Sequence, residues 1–269
     1  MLHIICGRKG VGKTTYLHHL LFEKIKETDA KVILLVPKHF TFDTDKSVLD
    51  IMGPRYASNV DVLSFSRLAG TVVKTLGGTN KPVLSDGVNA AMMGLALDSV
   101  KEKLTYFSRH YHNISFIKKM VDEVGSLKQQ SVSPSLLESS ARKLPDGLLK
   151  RKMLETALIY KAYDALVAES FFDDRDMLTL VAEVLSRSDF FKGKTIAIDN
   201  FTSFSGQERA IIGQMLKGAD DVYITALSDN LENTDLSSPF AVVNDTMRKI
   251  RSLAEKNFCR VKKPVYLTS

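Results

Sequence analysis

Nine consecutive residues near the start of the chain have the types and spacing of a phosphate-binding loop. They fit the pattern GxxxxGK[ST] with one further threonine, and read Gly7-Arg8-Lys9-Gly10-Val11-Gly12-Lys13-Thr14-Thr15. Glycines let the backbone wrap so that successive N–H groups point at a polyphosphate, and a helix N-terminus adds a positive field there. In this pattern Lys13 reaches the outer phosphates and the Thr14 hydroxyl coordinates Mg2+. The sequence therefore predicts that these nine residues bind ATP with Mg2+.

The residues on either side of this loop are those that the motif requires. An apolar run at 2–6 predicts a buried strand before the glycines, and residues 13 to 26 predict a helix after them. A strand, a glycine loop and a helix in that order are the structural context that separates a phosphate loop from a chance match. The alternative is a turn that merely requires glycine.

Asp199 is the second residue whose position suggests chemistry. It ends the apolar run 194–198 and is followed by Asn200, so its carboxylate is expected at the carboxyl edge of the sheet, where doubly wound folds bind ligands. This position predicts a magnesium ligand that acts together with Thr14; the alternative is an aspartate in an ordinary strand-to-helix turn. Active NTPases of this kind usually place a water-orienting carboxylate next, and Asn200 cannot take a proton from water. The sequence thus favours nucleotide binding over hydrolysis.

Length and composition restrict the class of protein. The 269 residues are 44% hydrophobic, which is typical of a globular protein with one large or two small cores. The formal net charge of +6 weakly favours a polyanionic partner. No apolar stretch approaches the roughly 20 residues of a membrane helix, and Met1 leads directly into the first predicted strand, so a cytoplasmic protein without a signal peptide is expected. Cys6 and Cys259 are too far apart to suggest a disulfide framework or a zinc site.

The order of predicted elements indicates an α/β fold with an insertion. Further strands are predicted at 31–36, 60–63, 194–199 and 221–226, with helices between them. Between these blocks, residues 83–189 contain only amphipathic helical patterns. We therefore expect a P-loop domain with a parallel sheet, made of residues 1–82 and 190–269, and an inserted all-helical subdomain at 83–189.

Four segments resemble the N-terminal part of the B subunit of AddAB-type (also RexAB) helicase-nucleases. They are the loop at 7–14, the run Leu34-Leu35-Val36-Pro37 with Thr41-Phe42, the run 62–69, and the run 198–208 with the pattern Asp-x-Phe-x-x-Phe-x-x-Gln-Glu. The last is the most specific, and the helical insert contributes only its length and position. At position 200 the family usually has glycine, where this chain has Asn200.

The resemblance implies a fold and a function. The fold is a RecA-like domain similar to domain 1A of superfamily 1 helicases, with a 1B-like helical insert. The function is that of a nucleotide-binding module in an ATP-dependent complex that processes double-strand DNA ends for recombinational repair. The implied partners are DNA, as a single strand or a duplex end, and a motor subunit in a heterodimer. The nuclease domain and second motor domain would follow Ser269, so this chain is expected to be an N-terminal piece with weak or no ATPase and no nuclease site.

Residues that contact DNA are suggested by two weaker arguments. By analogy with the DNA-contacting loops of helicases, Ser64, Phe65 and Arg67 are candidates; a helix cap, a core aromatic and a surface charge explain them equally. Two basic segments, at 101–119 with interleaved aromatics and at 247–263, suit single-stranded nucleic acid, or are solvated helix faces.

Two other functions remain compatible with the sequence. A small-molecule P-loop kinase would share Lys13 and Thr14, but the long helical insert before Asp199 argues against it. An interaction scaffold whose loop no longer binds nucleotide predicts that ATP with Mg2+ fails to raise the melting temperature.

Overall fold

The computed structural model describes residues 1–268, apart from the side chain of Asp86. Within that range the strands are β1 (Leu2–Gly7), β2 (Lys31–Leu35), β3 (Val60–Leu63), β4 (Lys194–Ile198), β5 (Asp221–Leu227) and β6 (Val265–Tyr266). The helices are α1 (Lys13–Thr28), α2 (Thr41–Ala57), α3 (Phe65–Leu76), α4 (Asp86–Val100), α5 (Ile114–Gln129), α6 (Pro134–Arg142), α7 (Leu148–Ser170), α8 (Met177–Ser186), α9 (Gly206–Gly218) and α10 (Ala241–Lys256). Short 3₁₀ turns lie at Lys38–Phe40, Lys101–Lys103 and Asp174–Asp176.

The six strands form one parallel sheet in the order β3-β2-β4-β5-β1-β6. The pairs Gly7 with Leu227 and Leu35 with Ile198 lie at the carboxyl ends of their strands. The loops after β1, β2, β4 and β5 therefore emerge at one edge, as parallel pairing requires. The predicted α/β class with a parallel sheet is confirmed.

The core beside the sheet follows from the apolar pattern of α1. Leu17, Leu21 and Ile25 recur every four residues, are at most 1% exposed, and pack in one cluster with β2 and α2. This spacing places them on one helical face. Because that face is fixed against the sheet, the first turn of α1 is held at the carboxyl end of β1.

The structure adds three elements that the sequence did not predict. Helix α2 is interrupted at Gly53, whose φ is 72°, and Pro54 follows it. Helix α10 begins before the basic segment at 247–263, and it buries Met247 and Ile250 while Arg248, Lys249 and Lys256 are exposed. Strand β6 pairs with β1 at only two positions on the sheet edge, too few residues to give a pattern.

The chain forms two compact units. The first contains the sheet and comprises residues 1–77, 181–204 and 208–269; the second comprises residues 78–180 and 205–207. In the second unit α4, α5 and α7 surround a core that includes Met93, Val124 and Tyr163, all fully buried.

A buried charge cluster joins helices of this second unit. The ammonium group of Lys128, which is 4% exposed, lies 3.0 Å from a carboxylate oxygen of Asp173 and 2.6 Å from one of Asp176. These carboxylates offset the effect of burial and raise the pKa of Lys128. The lysine is therefore charged and structural.

Among the helices of residues 1–268, none has the length and apolar character that crossing a membrane requires.

Candidate nucleotide-binding site

The loop between β1 and α1 has a backbone conformation that requires glycine. Gly10 and Gly12 have φ values of 86° and 82°, in the left-handed region that residues with a Cβ rarely adopt. Gly7 is restricted by space instead, since a Cβ there would lie 2.6 Å from Cγ2 of Val11. The loop therefore requires glycine for two different physical reasons: a left-handed backbone at Gly10 and Gly12, and a lack of space for a Cβ at Gly7.

Helix α1 begins directly after this loop with its first amides free of a side-chain cap. Its N-cap residue is Gly12, no side chain caps it, and its first turn contains no acidic residue. Uncapped N–H groups and the positive end of the helix dipole together form an anion site. The Lys13 ammonium lies at this place and donates to the Arg8 carbonyl oxygen at 2.8 Å. Burial lowers the pKa of Lys13, and the Asp199 carboxylate opposes that shift.

The two predicted magnesium ligands are in direct contact. The Thr14 hydroxyl donates a hydrogen bond to Oδ2 of Asp199 at 2.8 Å, although the residues are 185 positions apart. Asp199 is 1% exposed, and its N–H donates to the carbonyl oxygen of Leu35 at 2.9 Å. Strand β4 ends next to β2, at the same sheet edge as β1. The carboxylate at the end of β4 therefore lies beside the first turn of α1.

Two further residues hold the Asp199 carboxylate in place. The Thr225 hydroxyl on β5 donates to Oδ1, and the Asn200 side-chain amide donates to Oδ2 at 3.1 Å. The Asn200 N–H points at Oγ1 of Thr225 at 3.3 Å. Asn200 has a φ of 64°, and asparagine is one of the few residues besides glycine that adopts this conformation readily. This explains how asparagine can occupy a position where the AddAB-type family that the sequence resembles usually has glycine.

The oxygen atoms at this place suit Mg2+. Adjacent ligands of a magnesium octahedron with bonds of about 2.1 Å lie about 3.0 Å apart, close to the separation of Thr14 Oγ1 and Asp199 Oδ2. Among the residues that the structure describes, no group of three or more His, Cys, Asp or Glu side chains could hold a metal. A magnesium ion here would thus depend on phosphate and water oxygens as well, which is its usual mode of binding with nucleotides.

A cavity of about 510 Å³ opens over the loop. Its lining comes from the loop, from the segment after β4 and from the end of β5: Lys9, Gly10, Gly12, Lys13, Thr14, Asn200, Phe201, Thr202, Thr225 and Leu227. Thr225 and Leu227 were not predicted as site residues. A signal existed for the first, because Thr225 is a small polar residue in the mostly apolar run 222–227 at the end of β5. Of the other predicted loop residues, Arg8 directs its guanidinium to Asp229, at 2.7 Å.

The three residues suggested as DNA contacts occupy different environments. Ser64 is 5% exposed and caps α3 by accepting the Arg67 N–H at 3.3 Å. Phe65 is 4% exposed, and its ring lies 5.6 Å from that of Phe201 and 6.3 Å from that of Phe204. Arg67 is exposed. Only the arginine of this trio presents its side chain to solvent, while Phe65 packs against a ring that lines the cavity.

A buried histidine follows the loop on α1. His18 lies one turn after Thr14, is fully buried, and has its Nδ1 at 3.1 Å from the Ser47 hydroxyl oxygen on α2. Burial lowers the pKa of His18, and the Asp199 carboxylate partly opposes this effect. The imidazole is therefore neutral at pH 7.

Comparisons with known proteins agree on one family. The family model described as ADDB, N-terminal, matches residues 4–269. The B subunit of the ATP-dependent helicase/deoxyribonuclease of Clostridium perfringens (strain SM101 / Type A) is 31% identical over 257 residues, which cover 95% of this chain and 22% of that protein. Proteins of the same name are 29% identical in Clostridium tetani, over 99% of this chain and 24% of the relative, and 36% identical in Listeria monocytogenes serotype 4a, over 83% and 19%. The chain spans roughly a fifth of the length of these relatives.

Proposed function

Because this chain belongs to the AddB N-terminal family, we propose that it is the nucleotide-binding, helicase-like module of a helicase-nuclease subunit that processes DNA ends. In this proposal it binds ATP with Mg2+ in the loop at 7–15. The observation that carries the proposal is the 2.8 Å contact between Thr14 and Asp199 beside an uncapped helix N-terminus. The relatives' name, which includes "ATP-dependent", supports nucleotide use.

The proposed binding mode uses groups that the loop already presents. The first-turn amides of α1 face the polyphosphate, and the Lys13 ammonium exchanges the Arg8 carbonyl for a phosphate oxygen. Since a phosphate is charged and a carbonyl is not, the exchange strengthens the hydrogen bond. Lys9, Phe201 and Thr202 line the surrounding cavity.

Magnesium would be held by Thr14 and Asp199 together with phosphate oxygens. When bound, it would neutralise phosphate charge and orient the terminal phosphate. Asn200 and Thr225 act on this site as positioning residues, because each donates a hydrogen bond to the Asp199 carboxylate.

We propose that this chain alone hydrolyses ATP slowly or not at all and does not unwind DNA. Asn200 follows Asp199 where a water-orienting carboxylate is usual, and its amide is bonded to Asp199. Motors of this class also need arginines from outside this domain to stabilise the charge of the transition state. ATP in this module would then serve a structural or regulatory purpose within the complex.

Two partners belong to this proposal. The first is DNA, with Arg67 as the exposed member of the predicted contact trio. The second is a motor subunit that pairs with the full-length protein, in line with the word "subunit" in the names of the relatives.

A thermal-shift titration with ATP, ADP and single-stranded DNA tests the proposal. ATP with Mg2+ should stabilise the protein by about 2.7 kcal/mol at a hundredfold excess over its Kd, because it binds only the folded state. Lys13→Ala is the control and should lose this effect while keeping its DNA affinity. A protein that responds to neither ligand would instead be a scaffold, and a response to ATP but not to DNA would favour the small-molecule kinase.

A further inference from the structure

The second unit carries a strongly basic segment that the nucleotide site does not use. Residues 103–119, here called the 103–119 segment, run from the end of a 3₁₀ turn into the first turns of α5 and contain no Asp or Glu. Four cations and two histidines in it are exposed: Lys103, Arg109, His110, His112, Lys118 and Lys119. Within residues 1–268 none of the four cations forms a salt bridge. Their charge is therefore available to a ligand.

A buried carboxylate fixes the backbone of this segment. Glu155 on α7 is 6% exposed and accepts hydrogen bonds from the N–H groups of Thr105 at 2.9 Å, Tyr106 at 2.7 Å and Phe107 at 3.0 Å. It also accepts a hydrogen bond from the Thr105 hydroxyl at 2.7 Å. Burial alone would raise the pKa of Glu155, but these four hydrogen bonds outweigh it and the pKa is lowered. Three consecutive amides are thus locked, so the backbone of residues 105–107 is fixed before any ligand arrives.

The fixed backbone presents aromatic rings among the cations. Phe107 is buried, with its ring centre 4.9 Å from that of Phe116 and 4.8 Å from that of Tyr106. Tyr106 itself is 40% exposed, and His110 lies 6.3 Å from Phe116. A rigid ring that is buried on one side and open on the other can stack on a base at a low entropic cost.

We propose that the 103–119 segment binds single-stranded DNA, with its cations on the phosphates and Tyr106 against a base. The exposed Tyr106 ring between unpaired cations distinguishes this surface from one that binds acidic protein, which offers no bases to stack. The choice of DNA as the polymer rests on the proposed function. The surface itself shares no residue with the phosphate loop, so the two sites can be tested separately.

Fluorescence anisotropy with an oligothymidylate of about 20 nucleotides and a duplex of the same length tests the charge contribution. The triple variant Arg109→Ala/Lys118→Ala/Lys119→Ala should weaken single-strand binding at least about tenfold and reduce the slope of log K against log salt by about 2, since each lost phosphate contact removes about 0.7. The matched control is Arg187→Ala/Lys192→Ala/Lys217→Ala, which removes the same residue types at exposed positions of the first unit. Equal losses in both triple variants would overturn the proposal.

Tyr106 and Glu155 test the geometry. Tyr106→Leu should weaken single-strand binding about tenfold and duplex binding little, whereas Tyr106→Phe keeps the ring and the affinity. Glu155→Gln removes a negative charge, which alone would tighten DNA binding; we expect weaker binding, because the amide group cannot accept from all three N–H groups. Tighter binding by Glu155→Gln, or displacement of the oligonucleotide by polyglutamate as readily as by oligothymidylate, would overturn the proposal.

The ATP-induced thermal shift of every variant keeps the two proposals apart. All of these variants retain the loop at 7–15, so their response to ATP should equal that of the wild type. Loss of DNA binding with an unchanged ATP response supports the 103–119 segment as the DNA site. Full DNA binding by the first triple variant contradicts it, whether or not ATP binds.

Discussion

The Thr14 hydroxyl on α1 and the Asp199 carboxylate at the end of β4 are joined by a hydrogen bond of 2.8 Å. Strand β5 lies between β4 and β1, and its Thr225 bonds the other oxygen of the same carboxylate. The order of the strands therefore brings together groups from three distant parts of the sequence.

The charge of Asp199 should be needed for the metal but not for the fold of the loop. Asp199→Asn keeps the size of the side chain and removes the charge, so it should weaken binding of the metal–ATP complex by about tenfold or more, while metal-free ATP, which the carboxylate repels, binds at least as tightly as before. Calorimetric titration of ATP with Mg2+ and with a chelator, in the variant and in the wild type, measures this difference. An unchanged gain in ATP affinity from Mg2+ in this variant would exclude Asp199 as a ligand.

The left-handed conformation of Asn200 predicts an order of stability for two variants. Both Asn200→Gly and Asn200→Ala lose the hydrogen bond to Asp199, so they differ only in backbone preference. Since φ is 64°, alanine should be about 1 kcal/mol less stable than glycine. Thermal denaturation of the two proteins side by side measures this difference, and an alanine variant as stable as the glycine variant would contradict the assigned conformation.

The buried His18 predicts a loss of stability in mild acid. Its pKa in the folded protein is lowered from 6.5, mainly by burial, with His19 adding to the shift and Asp199 opposing it. The unfolded chain therefore binds the proton more readily, so this contribution to stability is complete above pH 6.5 and is lost as the pH falls toward the folded pKa. The slope from this group cannot exceed about 1.4 kcal/mol per pH unit.

Chemical denaturation at pH 7.5 and at about pH 5.5 checks the role of His18. The variant His18→Asn should lose less stability between the two pH values than the wild type, because its side chain does not titrate. The comparison uses the change with pH, so a general destabilisation by the substitution does not affect it. Equal changes in the two proteins would assign the pH dependence to other groups.

The three residues at the start of α3 should separate into structural and binding roles. Ser64→Ala removes a helix cap and should cost about 1 kcal/mol of stability, and Phe65→Ala about 3 to 5 kcal/mol because its ring is buried. Arg67→Ala should leave the melting temperature unchanged and weaken DNA binding. Melting curves and anisotropy on all three variants provide the measurement; a fully stable Phe65→Ala would contradict its place beside Phe201.

Much of the first unit could be predicted because its elements have strong local patterns. Parallel strands such as β2 are continuous apolar runs, and the loop at 7–15 has a spacing set by phosphate chemistry. Helix α2 has no continuous helical pattern because Gly53 and Pro54 interrupt it, and in α10 the many cations obscure the helical spacing of the buried Met247 and Ile250.

The site itself was predictable only in part. Thr14 and Asp199 could be paired from sequence because both follow buried strands whose carboxyl ends share a sheet edge. The role of Thr225 depends on β5 lying between β4 and β1, which is a property of strand order and not of local sequence. Likewise, no sequence pattern links Glu155 to the amides of 105–107, since that contact depends on how α7 packs in the second unit.

Isothermal titration calorimetry of ATP into the wild type and Lys13→Ala, each with Mg2+ and with a chelator, tests the central claim most directly. The wild type should bind one ATP per chain more tightly with Mg2+, and Lys13→Ala should show no binding heat under either condition. A Lys13→Ala protein that binds ATP with Mg2+ as tightly as the wild type would contradict nucleotide binding at this loop.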